Sequence, residues 1–137
     1  MNTSYFAQID YLIKQGHKNF VAISGWIPEF YQELLLNNKN KNISFNRCIE
    51  LAPKKAWFFD WKNGLINNDK YIELYNETVL NQLNPYELYE KLGEDAILLC
   101  YEKPEDFCHR HIVSQWFNKH LNLNIEEISI KSNYFIF

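Results

Sequence analysis

Residues 96–117, AILLCYEKPEDFCHRHIVSQWF, decide the fold. Ala96–Tyr101 is apolar on both faces that a strand presents, the pattern of a central strand in a parallel sheet covered by helices. Ile112, Val113, Trp116, Phe117 and Leu121 then recur at helical spacing, so a long helix opens near Cys108 after a short acidic turn. A buried strand that feeds a helix is the working unit of an α/β protein.

Upstream, Asn84 as cap, Pro85 at the first position and Gly93 just past the end bracket a short helix. Before it, Asp69 with Ile72, Tyr75, Val79 and Leu83 on one stripe predicts another. Phe20–Ser24 reads as a buried strand ended by Gly25, and Pro28 suits the first turn of a helix whose Phe30, Tyr31, Leu34 and Leu35 form one face. The Asn/Lys tract from Asn37 to Asn42 breaks that helix, and Arg47–Leu51 reads as a short strand ended by Pro53. Ala56–Asn68, AWFFDWKNGLINN, shows no clean period and reads as a packed irregular loop. Tyr5, Phe6, Ile9, Leu12 and Ile13 predict an N-terminal helix capped by Thr3 or Ser4 and stopped at Gly16. Ile125–Ile130, with Ile128 and Ile130 alternating, reads as a strand near the sheet edge. The expected fold is therefore a small single-domain α/β protein, a three-layer sandwich on a mostly parallel sheet of about four strands. One domain spans residues 1–137.

Composition agrees. Hydrophobic residues make up 47% and charged residues 23%, enough to bury a core and too apolar for a disordered chain. A formal net charge of -3 provides no basic field, so nucleic acid would be met only through local contacts. The longest strongly apolar stretch, Ala96–Tyr101, is too short to span a bilayer, and no membrane association is expected. Three cysteines, Cys48, Cys100 and Cys108, make an odd set with no signal peptide before them, which points to a reduced, cytoplasmic setting.

The chemistry gathers in the same stretch. In open parallel sheets ligands bind beyond the carboxyl ends of the strands, which directs attention to Ser24, Gly25 and Trp26 after one strand and to Cys100–Arg110 after another. These two loops should come from adjacent strands and form one cleft. Cys108, His109 and Arg110 stand where free N–H groups and the helix dipole favour an anion and a thiolate. Steps of about 100° per residue turn His109 inward, leave Arg110 on the border and send His111 to solvent. The bland alternatives are a core histidine at His109, a small buried hydrophobe at Cys100 and an ion pair from Arg110 to Glu102, Glu105 or Asp106. A zinc site is not expected, because seven residues separate Cys100 from Cys108 and the helical phase takes His111 away from His109. A phosphatase loop fails because one residue, not five, lies between Cys108 and Arg110. No glycine-rich phosphate loop, HExxH or GxSxG motif occurs, and nothing calls for a cofactor.

The segment LLCYEKPEDFCHR, preceded by YIELYNETVLNQLNP and ELAP, resembles the bacterial and phage family called domain of unknown function 488. The hallmark of that family is LLC-[AY]-E-K followed by CHR. The resemblance covers about residues 20–121, with the N-terminal helix and C-terminal strand as additions. It implies a small cytosolic α/β domain, no established reaction, and a site at Cys100, Glu102, Cys108, His109 and Arg110. Many members carry an arginine after the first strand, where this chain has Ser24, Gly25 and Trp26; Lys54 or Lys55 could supply a second basic group instead.

Three functions follow as alternatives. The first is a pocket for an anionic or phosphate-bearing small molecule, a nucleotide or a nucleic-acid end among them. Arg110 and the helix N-terminus hold the anion, His109 serves as acid or base, Glu102 orients it, and Trp26 or Trp57 stacks on a base. The second is thiol or redox chemistry at Cys108, with Cys100 resolving it. The third is a non-catalytic accessory domain whose Cys-His-Arg segment is a structural lock. The apolar end Tyr134–Phe137 suggests packing on the domain or on a second copy as a homodimer.

Overall fold

A computed structural model describes residues 1–37 and 42–130. Its four strands, β1 (Asn2–Tyr5), β2 (Asn19–Ala22), β3 (Ser44–Arg47) and β4 (Ala96–Cys100), form one all-parallel sheet in the order β1-β4-β2-β3. All five residues of β4 are buried, as a strand paired on both sides and covered on both faces requires. In register, Leu98 of β4 faces Thr3 of β1 on one side and Val21 of β2 on the other.

Helices α1 (Ile9–Lys14) and α2 (Glu29–Leu36) cover one face, where Leu12, Phe20, Tyr31, Phe45, Ile97 and Leu99 close a core. Helices α3 (Lys55–Lys62), α4 (Asn68–Thr78), α5 (Pro85–Leu92) and α6 (His109–Leu121) carry the larger core on the other, with Val21, Leu98, Tyr75, Val113 and Phe117. The result is the three-layer α/β arrangement expected. Local signals set several boundaries. The Asn84 side chain accepts from the Tyr86 and Glu87 N–H groups, Pro85 opens α5, and Gly93 leaves it at φ 100°, where an added Cβ would meet the Asp95 carboxylate at 2.9 Å.

Other segments depart from the sequence reading. The N-terminus is not a helix from Tyr5. Asn2–Tyr5 pairs with Ile97–Cys100 of β4, and α1 begins only at Ile9 after one 3-10 turn. A central strand leaves unpaired N–H and C=O groups on any open side, and satisfying them outweighs the helical spacing of the first apolar residues. The strand expected at Arg47–Leu51 lies earlier, at Ser44–Arg47, and Ile49–Leu51 is a 3-10 turn. Pro28 is the residue before α2 rather than within its first turn. The expected irregular loop contains α3. Its period is hidden because Trp57, Phe58 and Trp61 face the core while Phe59 stays exposed. The inward rings of Trp57 and Trp61 pack on Tyr71 of α4, at centroid distances of 4.8 and 5.0 Å.

The expected edge strand at Ile125–Ile130 amounts to a single parallel bridge between Thr3 and Glu127, held by Thr3 N–H to Glu126 O at 3.1 Å and Ile128 N–H to Thr3 O at 2.8 Å. Part of the Asn/Lys tract, and the whole Tyr134–Phe137 segment on which a homodimer was expected, lie outside the described residues. Among the described residues no helix is long and apolar enough to cross a membrane.

Candidate functional site

Because every strand runs the same way, the carboxyl ends of β2 and β4 lie side by side and deliver their following loops to one place. Ser24, Gly25 and Trp26 from the first loop and Cys100, Glu102, Cys108 and His109 from the second line one cavity of about 300 Å³. The two segments singled out in the sequence thus form a single cleft. Phe58 and Trp61 of α3, Tyr71 of α4 and Phe107 build its walls. Their rings are in mutual contact: Tyr71 meets Phe107 at 4.9 Å and Trp61 meets Phe107 at 5.5 Å between centroids.

The polar floor is a cluster of two thiols and an imidazole. Cys100 ends β4, and Cys108, in extended backbone, caps α6, whose first turn presents N–H groups without intrahelical partners. His109 Nε2 lies 2.8 Å from the Ile23 carbonyl, so in the neutral ring Nε2–H donates there and Nδ1 is left as the acceptor. Nδ1 is 3.5 Å from Cys100 Sγ and 4.0 Å from Cys108 Sγ. The two sulfurs and a ring nitrogen lie within 4.8 Å of one another, all in buried residues, so these three side chains have the donor types and the proximity to hold a metal ion.

The charges around the cluster split the two thiols. Burial works to raise the Cys108 thiol, but the hydrogen bond with Cys100, the neighbouring His109 imidazole and the charge of Arg110 outweigh it and hold Cys108 well below an ordinary cysteine. Burial and the Cys108 neighbour push Cys100 well above. Burial, and next the charge of Cys108, also raise the Glu102 carboxyl, although Lys62 Nζ stands 3.7 Å from it.

Arg110 is placed otherwise than its expected role as an anion ligand requires. It is fully buried, does not line the cavity, and pairs with Glu127 rather than with Glu102, Glu105 or Asp106. Nε donates to Oε1 at 3.0 Å and Nη2 to Oε2 at 2.8 Å, while the guanidinium lies 5.7 Å from the Tyr5 ring centroid. One helical step beyond the inward His109 carries Arg110 into the space between α6, β1 and the segment after α6. His111, expected in solvent, is half-buried with its Nε2 unpartnered. The cations at the cavity are instead Lys62, which lines it, and Lys55, whose Nζ lies 5.0 Å from the Trp26 ring centroid. Trp57 is buried against Tyr71 and donates to Thr78 Oγ1 at 3.1 Å, away from the role of a stacking platform.

Phe58, Trp61, Tyr71 and Phe107 were not anticipated as site residues. The aromatic run of α3 was the signal, and it lacked only a direction. A family model, described as the active DUF488-N3 subclade, matches residues 38–121. No curated protein and no solved structure matches.

Proposed function

As a member of the DUF488 family, the chain must be read from its own site, and we propose that the cavity binds a small molecule bearing a planar ring and an anionic group, a mononucleotide among them. The reacting end of that molecule faces Cys108, His109 and Glu102. One observation carries this reading: residues from two separate loops converge, with an aromatic wall, on one cavity of about 300 Å³, at the lower end of the size of small-molecule sites. The matched subclade's description as active is in keeping with a working site.

Each part of the ligand has a counterpart. The wall offers the faces of Trp61 and Trp26 for stacking. The N-terminal turn of α6 and Lys62 offer positive charge to an anion. Glu102, whose carboxyl is raised by burial, lines the same space as His109 and orients the reacting end of the molecule. Arg110, paired with Glu127, anchors the first turn of α6 so that Cys108 and His109 keep their places.

Mononucleotides, nucleosides and inorganic phosphate titrated separately, with tryptophan fluorescence as the readout, test it. We expect mononucleotides to bind more tightly than either half alone, and Trp61→Leu to weaken them by about tenfold, the low end of a lost stacking contact of about 1–3 kcal/mol. Failure of mononucleotides to bind the folded protein, or equal binding to Trp61→Leu, refutes the reading.

A further inference from the structure

We infer that Cys100 Sγ, Cys108 Sγ and His109 Nδ1 form a zinc site whose fourth position opens into the cavity. The inference deepens the proposed reading of that cavity, but the three ligands are assigned without reference to any organic molecule. With zinc–sulfur bonds of about 2.3 Å and zinc–nitrogen bonds of about 2.0 Å at tetrahedral angles, a sulfur and a nitrogen sharing one ion stand about 3.6 Å apart, and two sulfurs about 3.8 Å. The thiols stand 3.5 and 4.0 Å from Nδ1, and the three donor atoms lie within 4.8 Å of one another. Cys100 Sγ, 3.5 and 3.6 Å from the two ring nitrogens, lies over the ring face, so its side chain turns toward Nδ1 to share an ion held there in the ring plane.

The imidazole is prepared for this role. Cys100 Sγ lies almost equally near the two ring nitrogens, 3.5 Å from Nδ1 and 3.6 Å from Nε2. The Ile23 carbonyl takes Nε2–H at 2.8 Å, so the free lone pair belongs to Nδ1. A backbone carbonyl holding the far N–H is the usual support of a metal-bound histidine, fixing its tautomer and ring orientation. All three residues are buried, and two thiolates balance the charge of the divalent ion, so the site is neutral once filled.

The donor set selects the metal. Thiolate and imidazole suit zinc and reject magnesium and calcium, which take oxygen. Three protein ligands with an open fourth position are the arrangement of catalytic zinc rather than structural zinc. That position faces the space lined by Glu102 and Tyr71 and would polarise an oxygen of the bound molecule. The seven residues between Cys100 and Cys108 argued against zinc along the chain, but the fold returns the second cysteine to the end of the strand that carries the first.

The test uses the full chain purified without chelator, zinc analysis, and exchange with cobalt as a spectroscopic probe, with no organic ligand present. We expect one zinc per chain. The cobalt form should show thiolate-to-metal charge-transfer bands that fall by about half in Cys100→Ser or Cys108→Ser and are unchanged in Cys48→Ser. His109→Gln should keep the thiolate bands but weaken metal binding at least tenfold, with circular dichroism checking the fold of each variant. Folded wild-type protein with neither stoichiometric zinc nor thiolate–cobalt bands overturns the site, as does zinc retained undiminished in Cys108→Ser. Because mononucleotide binding is measured separately, in chelator-treated protein, failure of the metal site and failure of the ligand reading are told apart.

Discussion

Replacing Glu127 by Gln should destabilise the protein by about 2–3 kcal/mol, a large loss for a side chain beyond the last helix. Arg110 is fully buried, and among the described residues its guanidinium is ion-paired with Glu127, at 3.0 Å from Nε and 2.8 Å from Nη2. Thr3 Oγ1 donates to the same carboxylate at 2.6 Å, which ties β1 into the group. Removing one partner of a buried pair costs about 3–5 kcal/mol, because the other charge is left uncompensated. Glutamine keeps the shape and one acceptor oxygen, and the Glu127 side chain is 19% exposed, so the loss falls to the bottom of that range or just below it, about 2–3 kcal/mol. For a chain of this size about 3–4 °C of Tm goes with each kcal/mol, giving a fall of about 10 °C. Arg110 stays charged throughout the accessible pH range, so the loss should be equal at neutral and mildly alkaline pH.

Urea unfolding of the wild type, Glu127→Gln, Arg110→Met, Glu127→Leu and the Met/Leu double variant completes the cycle. The double variant leaves no orphaned charge and should lose less than either of its component single variants. A Glu127→Gln protein within about 0.5 kcal/mol of wild type would place the pair among ordinary surface contacts and refute the anchoring role given to Arg110.

Two further outcomes follow from single side chains. Tyr31 is buried and donates to Asn46 O at 2.6 Å, and burial pushes its hydroxyl well above an ordinary tyrosine. Above about pH 10 the unfolded chain releases this proton while the folded one retains it, so stability falls with rising pH by about 1.4 kcal/mol per unit from this residue. Urea midpoints at about pH 9 and pH 11 should show Tyr31→Phe less stable by about 1 kcal/mol at the lower pH, with a shallower alkaline decline; parallel declines would contradict the assignment. Asn84→Ala removes the acceptor of the Tyr86 and Glu87 N–H groups and should cost about 1 kcal/mol, with faster amide exchange in the first turn of α5; unchanged protection there would remove the cap from the account.

What the sequence determined by itself was whatever a few consecutive residues encode. Ala96–Cys100 had to be a central strand because it is apolar on both faces, and Asn84, Pro85 and Gly93 bracket α5 through capping chemistry confined to one or two turns. The same locality placed Cys108 and His109 at a helix start after that strand, and so made most of the candidate site legible. Only the tertiary structure decided what depends on the chain returning to itself. Asn2–Tyr5 became a strand because β4 needed a partner along its open edge, a demand invisible in those four residues. Trp57, Phe58 and Trp61 became one inward face when Tyr71 arrived to receive them. Arg110 left the cavity for Glu127, a partner on a segment that the local acidic turn gave no reason to consider. Cys100 and Cys108, too far apart in sequence for a metal-binding spacing, came within reach of one imidazole, because proximity in a folded chain is set by which strand ends meet rather than by the residues counted between them.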